Sequence, residues 1–456
     1  MPRPLVLALL LAIGPATAIA QNALPFEAAR SLLHQRSDKL RIDAAEVERR
    51  RLESEASSAL DGPKLILNAT QVWGSKEVEL GPVNVPSISL GPITTPALSL
   101  GPFNIKDDLS GPRSSLITTW PLYTGGLITA KRMALAAAVD EARADRERTT
   151  DELDNQLAQR YFGVQLMRSV EKLRAGTLAQ QDAELVRAQR FEQQGLISKL
   201  ERMSVQVARD DAARELIKAQ TDREIAEIQL ARLLRETRLP PLATPLFVRN
   251  TALVPLTRWQ AIALESNPAL NGIAAKRSQA EQGVAAANAA WKPQVFAFGQ
   301  YNMVRRYLTL PEPDWIAGVG VNITLWDSED RRSRVLAAET LVEKADAARS
   351  EATNEIATVV EVAWRRSEQA REQYRLTASG VELAAENLRL RQRSFAEGLS
   401  TALDVNEARN SLLKAEIGRR VAAYEFVVAY AALHAVAGRM TDFAAQARGK
   451  DIMVEP

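Results

Sequence analysis

Residues 122 to about 236 recur without a gap 203 positions further along the chain, and this duplication constrains the fold more than any other feature. Leu122 and Tyr123 fall on Leu325 and Trp326, Leu153 on Ile356, Tyr161 on Trp364 and Arg190 on Arg393. Further along, Gly195 and Leu196 fall on Gly398 and Leu399, and Leu200 and Glu201 on Leu403 and Asp404. A period this long marks two structural halves, not a short-repeat solenoid. Each half holds a long helical tract, a Gly-Leu turn and a second helix, which predicts paired antiparallel helices with internal pseudo-symmetry. Such a body suits a conduit better than a catalyst.

Arg3, the apolar run Leu5 to Ile13 and the small-residue triplet Ala18-Ile19-Ala20 read as a secretory signal peptide, residues 1–20, with cleavage near Ala20. The chain has no cysteine, so neither a lipid anchor on the new N-terminus nor a disulfide framework is available. Lys plus Arg number 58 against 56 Asp plus Glu, and this near cancellation leaves no basic footprint for nucleic acid. The two histidines, His34 and His434, lie far apart in helical tracts, and no phosphate loop or nucleophile elbow occurs, so an enzyme, a metal site and a cofactor have no support. Val421 to Val436 is the most apolar later stretch, but Glu425 and His434 interrupt it, which favours a packed helix over a membrane span.

The tracts 122–239 and 327–454 contain no internal proline and are rich in Ala, Leu, Glu, Gln and Arg, the strong helix formers. Apolar residues recur in steps of three or four, as in Leu153, Leu157, Tyr161, Val164 and in Val405, Ala408, Leu412, Ala415, so each helix carries one packing stripe. The predicted helices are 126–194 and 198–237 in the first half and 327–396 and 401–438 in the second. At roughly 1.5 Å per residue the longer ones span about 100 Å. Ser198 with Glu201, and Thr401 with Asp404, fit the capping box, so each Gly-Leu pair is a hairpin tip.

Two more helical tracts, 26–60 and 257–291, correspond at an offset of 230, which also carries Pro63 onto Pro293. A proline-rich connector, 239–256, separates the first repeat (21–238) from the second (257–438) and is expected as a belt on the outside; residues 439–456 form a tail. Between each upper helix and its long helix, the period changes to two. Ala317, Val319, Val321, Ile323 and Leu325 alternate with Gly318, Gly320, Asn322 and Thr324, the pattern of a barrel strand between lipid and water. The hairpins are 64–122 and 294–325, with Trp73, Trp120, Tyr123, Tyr301, Trp315 and Trp326 near strand ends, as in a membrane-interface girdle. Four strands cannot close a barrel, so a membrane-spanning version of this chain must oligomerise.

Pro63 to Leu122 is 59 residues and Pro293 to Leu325 is 32, leaving 27 extra in the first hairpin. Leu-Gly-Pro recurs there at 80, 90 and 100, which predicts an extended loop over 76–112.

Taken in order, the leader, two helix-strand-strand-helix-helix repeats, a proline before each hairpin, Leu-Tyr or Leu-Trp before each long helix and the Gly-Leu tips resemble the TolC family of outer-membrane efflux proteins. The resemblance covers essentially the whole mature chain. It implies a mainly α fold with a membrane β-barrel: a homotrimer whose helices form a periplasmic tunnel and whose twelve strands, four per chain, cross the outer membrane lipid. It further implies a periplasmic adaptor and an inner-membrane transporter as partners, in tripartite efflux or type I secretion; the residues by themselves also fit an exported periplasmic coiled-coil adaptor or scaffold without a pore. The adaptor would dock on Gly195, Leu196, Ser198, Gly398, Leu399 and Thr401. Asp404 and Glu407, with Glu201, would ring the periplasmic gate, and Trp120, Tyr123, Trp315 and Trp326 would mark the membrane interfaces. Family members often lock this entrance with an Arg and a hydroxyl-bearing aromatic where this chain has Ser400 and Phe395. Lys199 or Arg202 is expected to substitute. The transported substrate is not readable from the chain.

Overall fold

The computed structural model describes residues 23–87, 89–90, 93–94, 96–108, 110–305, 312–326, 330–447 and 452–455, so the leader lies outside the described residues. In chain order the helices are α1 (Phe26–Arg36), α2 (Asp38–Ala56), α3 (Leu127–Gln193), α4 (Lys199–Leu233), α5 (Leu256–Ser266), α6 (Pro268–Ala289), α7 (Arg331–Ala396), α8 (Ala402–Val436) and α9 (Met440–Gln446). The strands are β1 (Lys64–Val72), β2 (Ser75–Leu80), β3 (Val83–Val85), β4 (Ser89–Leu90), β5 (Ile93–Thr94), β6 (Leu98–Leu100), β7 (Phe103–Asp108), β8 (Gly111–Tyr123), β9 (Leu246–Arg249), β10 (Gln294–Asn302), β11 (Trp315–Asn322) and β12 (Ile452–Glu455). The chain divides into two compact units, one of residues 1–47, 142–272 and 348–456 and the other of 48–141 and 273–347.

The first unit is held by a core in which Phe26, Phe162, Phe247, Phe426 and Phe443 are fully buried. Their rings meet mostly edge to face, with Phe26 to Phe443 at 5.5 Å and Phe162 to Phe247 at 5.7 Å between centroids. Each such ring contributes roughly 1.5–3 kcal/mol on leaving water. Phe247 and Val248 come from the proline-rich connector, so this segment is not a belt on the outside: β9 pairs antiparallel with β12 of the tail and turns its apolar side chains inward. Residues 239–255 contain no helix, and the Leu-Phe-Val run at 246–248 forms a strand whose side chains are buried.

Both repeats use the same device to tie a long helix to the chain ahead of an upper helix. Tyr161 Oη donates to Leu24 O at 2.6 Å, and Trp364 Nε1 donates to Val254 O at 2.9 Å. The donors are related by the 203 offset and the acceptors by the 230 offset. Tyr161 Oη also accepts from Thr244 N, which draws the connector into the joint. The predicted single upper helices are instead each broken once, again at equivalent places, Ser37 and Asn267, which are both extended (ψ 119° and 122°). Pro268 disfavours helical backbone at Asn267, whose Oδ1 caps the next helix through Ala269 N; Ser37 Oγ accepts from Leu40 N in the same role. On α1, Arg30 Nε and His34 Nε2 both reach the fully buried Asp154 of α3, each at 2.6 Å.

In the second unit, β1, β8, β10 and β11 form one antiparallel sheet in that order, leaving β1 and β11 as edges. Gly320 and Gly318 of β11 lie across from Phe296 and Phe298 of β10, and an added Cβ at Gly320 would stand 2.6 Å from the Phe296 ring. The glycines therefore make room for aromatic rings on that face. The opposite face carries exposed Val319 and Val321.

The expected loop over 76–112 is instead a β-ribbon. Lys64 pairs with Thr119, Ser75 with Asp108, Val83 with Leu100 and Ser89 with Thr94, and each pair of numbers sums to 183. One register thus runs from the base of β1 to Leu90 and Ile93. The ladder breaks at Gly81-Pro82 and Gly101-Pro102, which face each other in this register, and resumes unshifted. Proline lacks an amide donor, so it interrupts a ladder without ending it when both arms are interrupted at the same height.

Candidate functional site: the helical hairpin tips

Both hairpin tips have the same local chemistry. Gly195 and Gly398 adopt left-handed backbone (φ 72° and 74°), which lets Leu196 N reach back to Phe191 O at 2.9 Å and Leu399 N to Ser394 O at 2.8 Å. These are Schellman closures of α3 and α7. Ser198 Oγ then accepts from Glu201 N while Ser198 N donates to Glu201 Oε2 at 2.9 Å. Thr401 and Asp404 repeat the box, with Thr401 N to Asp404 Oδ2 at 2.9 Å. Thr401 Oγ1 and Ser400 Oγ donate to the same Asp404 oxygen, at 2.8 and 3.1 Å. The backbone bond from Thr401, followed by these hydroxyls, holds the Asp404 carboxyl below its usual range.

The tips adjoin one another. Phe191, Ile197, Glu201 and Val205 of the first line a recess together with Phe395 and Ala402 of the second. Phe395 packs on the small cluster of Leu388, Val405 and Ala408, so the missing hydroxyl leaves no unmet polar group at that position. Glu407 is exposed one turn beyond Asp404, and its carboxylate has no partner among the described residues. Around the turns, Leu196, Leu200, Leu399 and Leu403 are between 60% and 79% exposed, which leaves an apolar patch unburied at the tip of each hairpin.

Arg202 does not bridge to the second repeat: its Nε pairs with Glu192 of its own hairpin at 3.1 Å. Lys199 makes no ion pair among the described residues. The ties between repeats lie deeper and involve residues the sequence reading passed over. Gln181 Nε2 donates to Asn406 Oδ1 at 2.7 Å, and the buried Arg409 guanidinium sits 3.7 Å from Glu184. Burial opposes the charge of Arg409 and Glu184 partly offsets it. The available signal was a charged residue directly flanking the Val405, Ala408, Leu412 stripe.

The aromatic residues stand at both ends of the four-stranded sheet. Trp73, Tyr301 and Trp315 lie toward one end, and Trp120, Tyr123 and Trp326 toward the other, all substantially exposed. Trp120 Nε1 is anchored to Asp61 O at 2.8 Å. No helix among the described residues is long and apolar enough to cross a membrane.

A sequence profile of the Outer membrane efflux protein family matches residues 29–235 and 259–439, most of the chain and both repeats. The chain belongs to that family. Among solved structures, this efflux protein is similar to CusC (TM-score 0.74, 15% identity, covering 90% of this chain and 91% of that one). It is likewise similar to the outer membrane protein VceC of Vibrio cholerae (TM-score 0.70, 14% identity, 91% and 96% covered). The MtrE outer membrane channel of Neisseria gonorrhoeae, captured in its open state, matches at TM-score 0.67 and 18% identity, with 91% and 88% covered. At these identities the structures speak for the fold alone. No curated protein sequence matches. The duplicated helical hairpins and the sheet thus have the fold of outer-membrane efflux channels, and the family is one of channels, not enzymes.

Proposed function

We propose that this efflux protein is the passive exit duct of a tripartite efflux or type I secretion system, a homotrimer reached after removal of residues 1–20. The observation that carries this reading is the open four-stranded sheet with aromatic bands at both ends. In hydrocarbon, each unpaired backbone group on β1 or β11 costs several kcal/mol, so the sheet is tolerable there only when copies of the chain close it. Three copies supply twelve strands, and their helices form a periplasmic tunnel. The exposed leucines around Gly195, Ser198, Gly398 and Thr401 are apolar landing points for a periplasmic adaptor that connects to an inner-membrane transporter.

At the entrance, three copies of Asp404 and Glu407, flanked by Glu201, form carboxylate rings that attract cations and constrict the path. Asp404 also caps α8, so Glu407 is the cleaner test. The purified protein in a planar bilayer is expected to conduct, with particles of trimeric mass in detergent. Glu407→Gln is expected to raise conductance or weaken block by divalent cations. Monomeric, non-conducting particles would overturn the duct, and unchanged currents and block in Glu407→Gln would overturn the gate.

A further inference from the structure

From Leu80 to Ile105 the chain has no charged residue, although a quarter of all its residues are charged. This run spans the outer part of the β-ribbon, beyond the charged pairs at its base, and its pairing sorts residues by polarity. Leu80 faces Phe103 and Val83 faces Leu100, while Glu79 faces Asn104 and Asn84 faces Ser99. Ser99 Oγ donates to Asn84 Oδ1 at 2.7 Å, and Asn104 Nδ2 donates to Glu77. Directly opposed residues share a face, so in each ladder segment apolar pairs take one side and polar pairs the other. Leu80, Val83, Leu98, Leu100 and Phe103 are all exposed in the single chain.

In the unshifted register Leu80 and Phe103 fall on the face opposite Val83 and Leu100, so the apolar face beyond the first proline break is the one on β3 and β6. A two-stranded ribbon with such a face uncovered is marginal in water, so something covers it. Its edges exclude strand addition, because Pro82, Pro86, Pro96 and Pro102 deny an incoming strand its ladder on both arms. The partner must therefore pack on the face. The ribbon continues β1 and β8 in one register, with Ser110 Oγ bridging to Gly74 at the joint, and β1 is the sheet edge that another copy must meet. The second hairpin has no such extension. Each copy therefore brings one ribbon to a shared ring, and β3 and β6, which hold no charged residue, have nothing to repel their equivalents.

We infer that the apolar faces of β3 and β6 pack against one another between copies, forming a collar beyond the outer end of the barrel. This rests on the trimer reading above. The absence of native cysteine gives a clean test in the full-length protein: Leu100→Cys and, on the other arm, Val83→Cys report the apolar face, and Ser99→Cys reports the polar face. The apolar-face thiols are expected to form disulfides between subunits under copper-phenanthroline and to react with maleimide at least about tenfold more slowly than Ser99→Cys, since thiol chemistry follows access. Trimeric particles in which all three positions label equally and none cross-links would overturn the collar alone. Protection of Leu100→Cys that appears only with added phospholipid vesicles and without cross-links would assign the face to lipid and also overturn it. Monomeric mass would overturn the trimer reading and the collar with it.

Discussion

His434 provides a stability switch whose sign and size follow from its surroundings. Its ring lies 4.8 Å from that of Trp259, 4.4 Å from Tyr430 and 5.8 Å from Phe443, and only 1% of the residue is exposed. Nδ1 meets Tyr430 O at 2.9 Å, whereas the buried Nε2 has no partner among the described residues, so a proton placed there would be an unsatisfied buried donor. Burial is the chief cause that lowers its pKa from 6.5 to about 4; the Tyr430 carbonyl and Asp442 oppose it, and Arg249 adds to it. Below pH 6.5 the unfolded chain takes up a proton that the folded chain refuses. Stability from this group is therefore complete above pH 6.5 and falls as the pH drops toward 4, by about 1.4 kcal/mol per unit and roughly 3 kcal/mol in all. His434→Phe keeps a ring in the aromatic cluster and removes the titration. Between pH 7.5 and 4.5, wild type is expected to lose melting temperature by several degrees more than His434→Phe, measured by circular dichroism in the same detergent. Because the chain has only two histidines, ring-carbon NMR reads the titration directly, with the variant assigning the signal. Parallel pH dependence in the two proteins, or a His434 resonance titrating near 6.5, would refute the reasoning.

Asp151 behaves oppositely, since burial and then the neighbouring Asp154 raise its pKa from 3.8 to about 7. Its ionisation opposes folding increasingly as pH rises from 3.8 through 7, so Asp151→Asn should melt higher than wild type at pH 8 and lose that advantage by pH 4. Gly320→Val drives a side chain into the Phe296 ring and is expected to cost about 1–3 kcal/mol. Most of that penalty should vanish in a Phe296→Ala background, and additive melting shifts across the double-mutant cycle would dismiss the contact. Thr401→Ala removes the α8 cap at about 1 kcal/mol, so hydrogen exchange in the first turn of α8 should accelerate roughly fivefold, with Thr401→Ser near wild type.

Much of the candidate site was legible because its determinants are local. A glycine with positive φ followed within a few residues by a hydroxyl and then an acid three positions on closes one helix and opens another through contacts spanning no more than six residues. Arg202 shows where local reading fails: the family resemblance suggested it as a substitute for the entrance lock, yet Glu192 across its own hairpin captures it. Whether Arg409 is buried depends on how two hairpins 200 residues apart in sequence pack, and no window of sequence holds that information.

The sequence by itself determined the two-fold internal repeat, the long paired helices and the alternating strands, because periodicity, capping and proline placement act over short distances along the chain. The repeat even carried its detail into the tertiary structure, in the Tyr161 and Trp364 bonds and the breaks at Ser37 and Asn267. Only the tertiary structure decided that the connector enters the core through Phe247, and that a proline-rich insertion forms a ribbon in the register of β1 and β8. Proline is disfavoured inside a strand when considered one chain at a time. Its cost falls when two arms interrupt their ladder at the same height, and that coincidence exists only once the strands are paired.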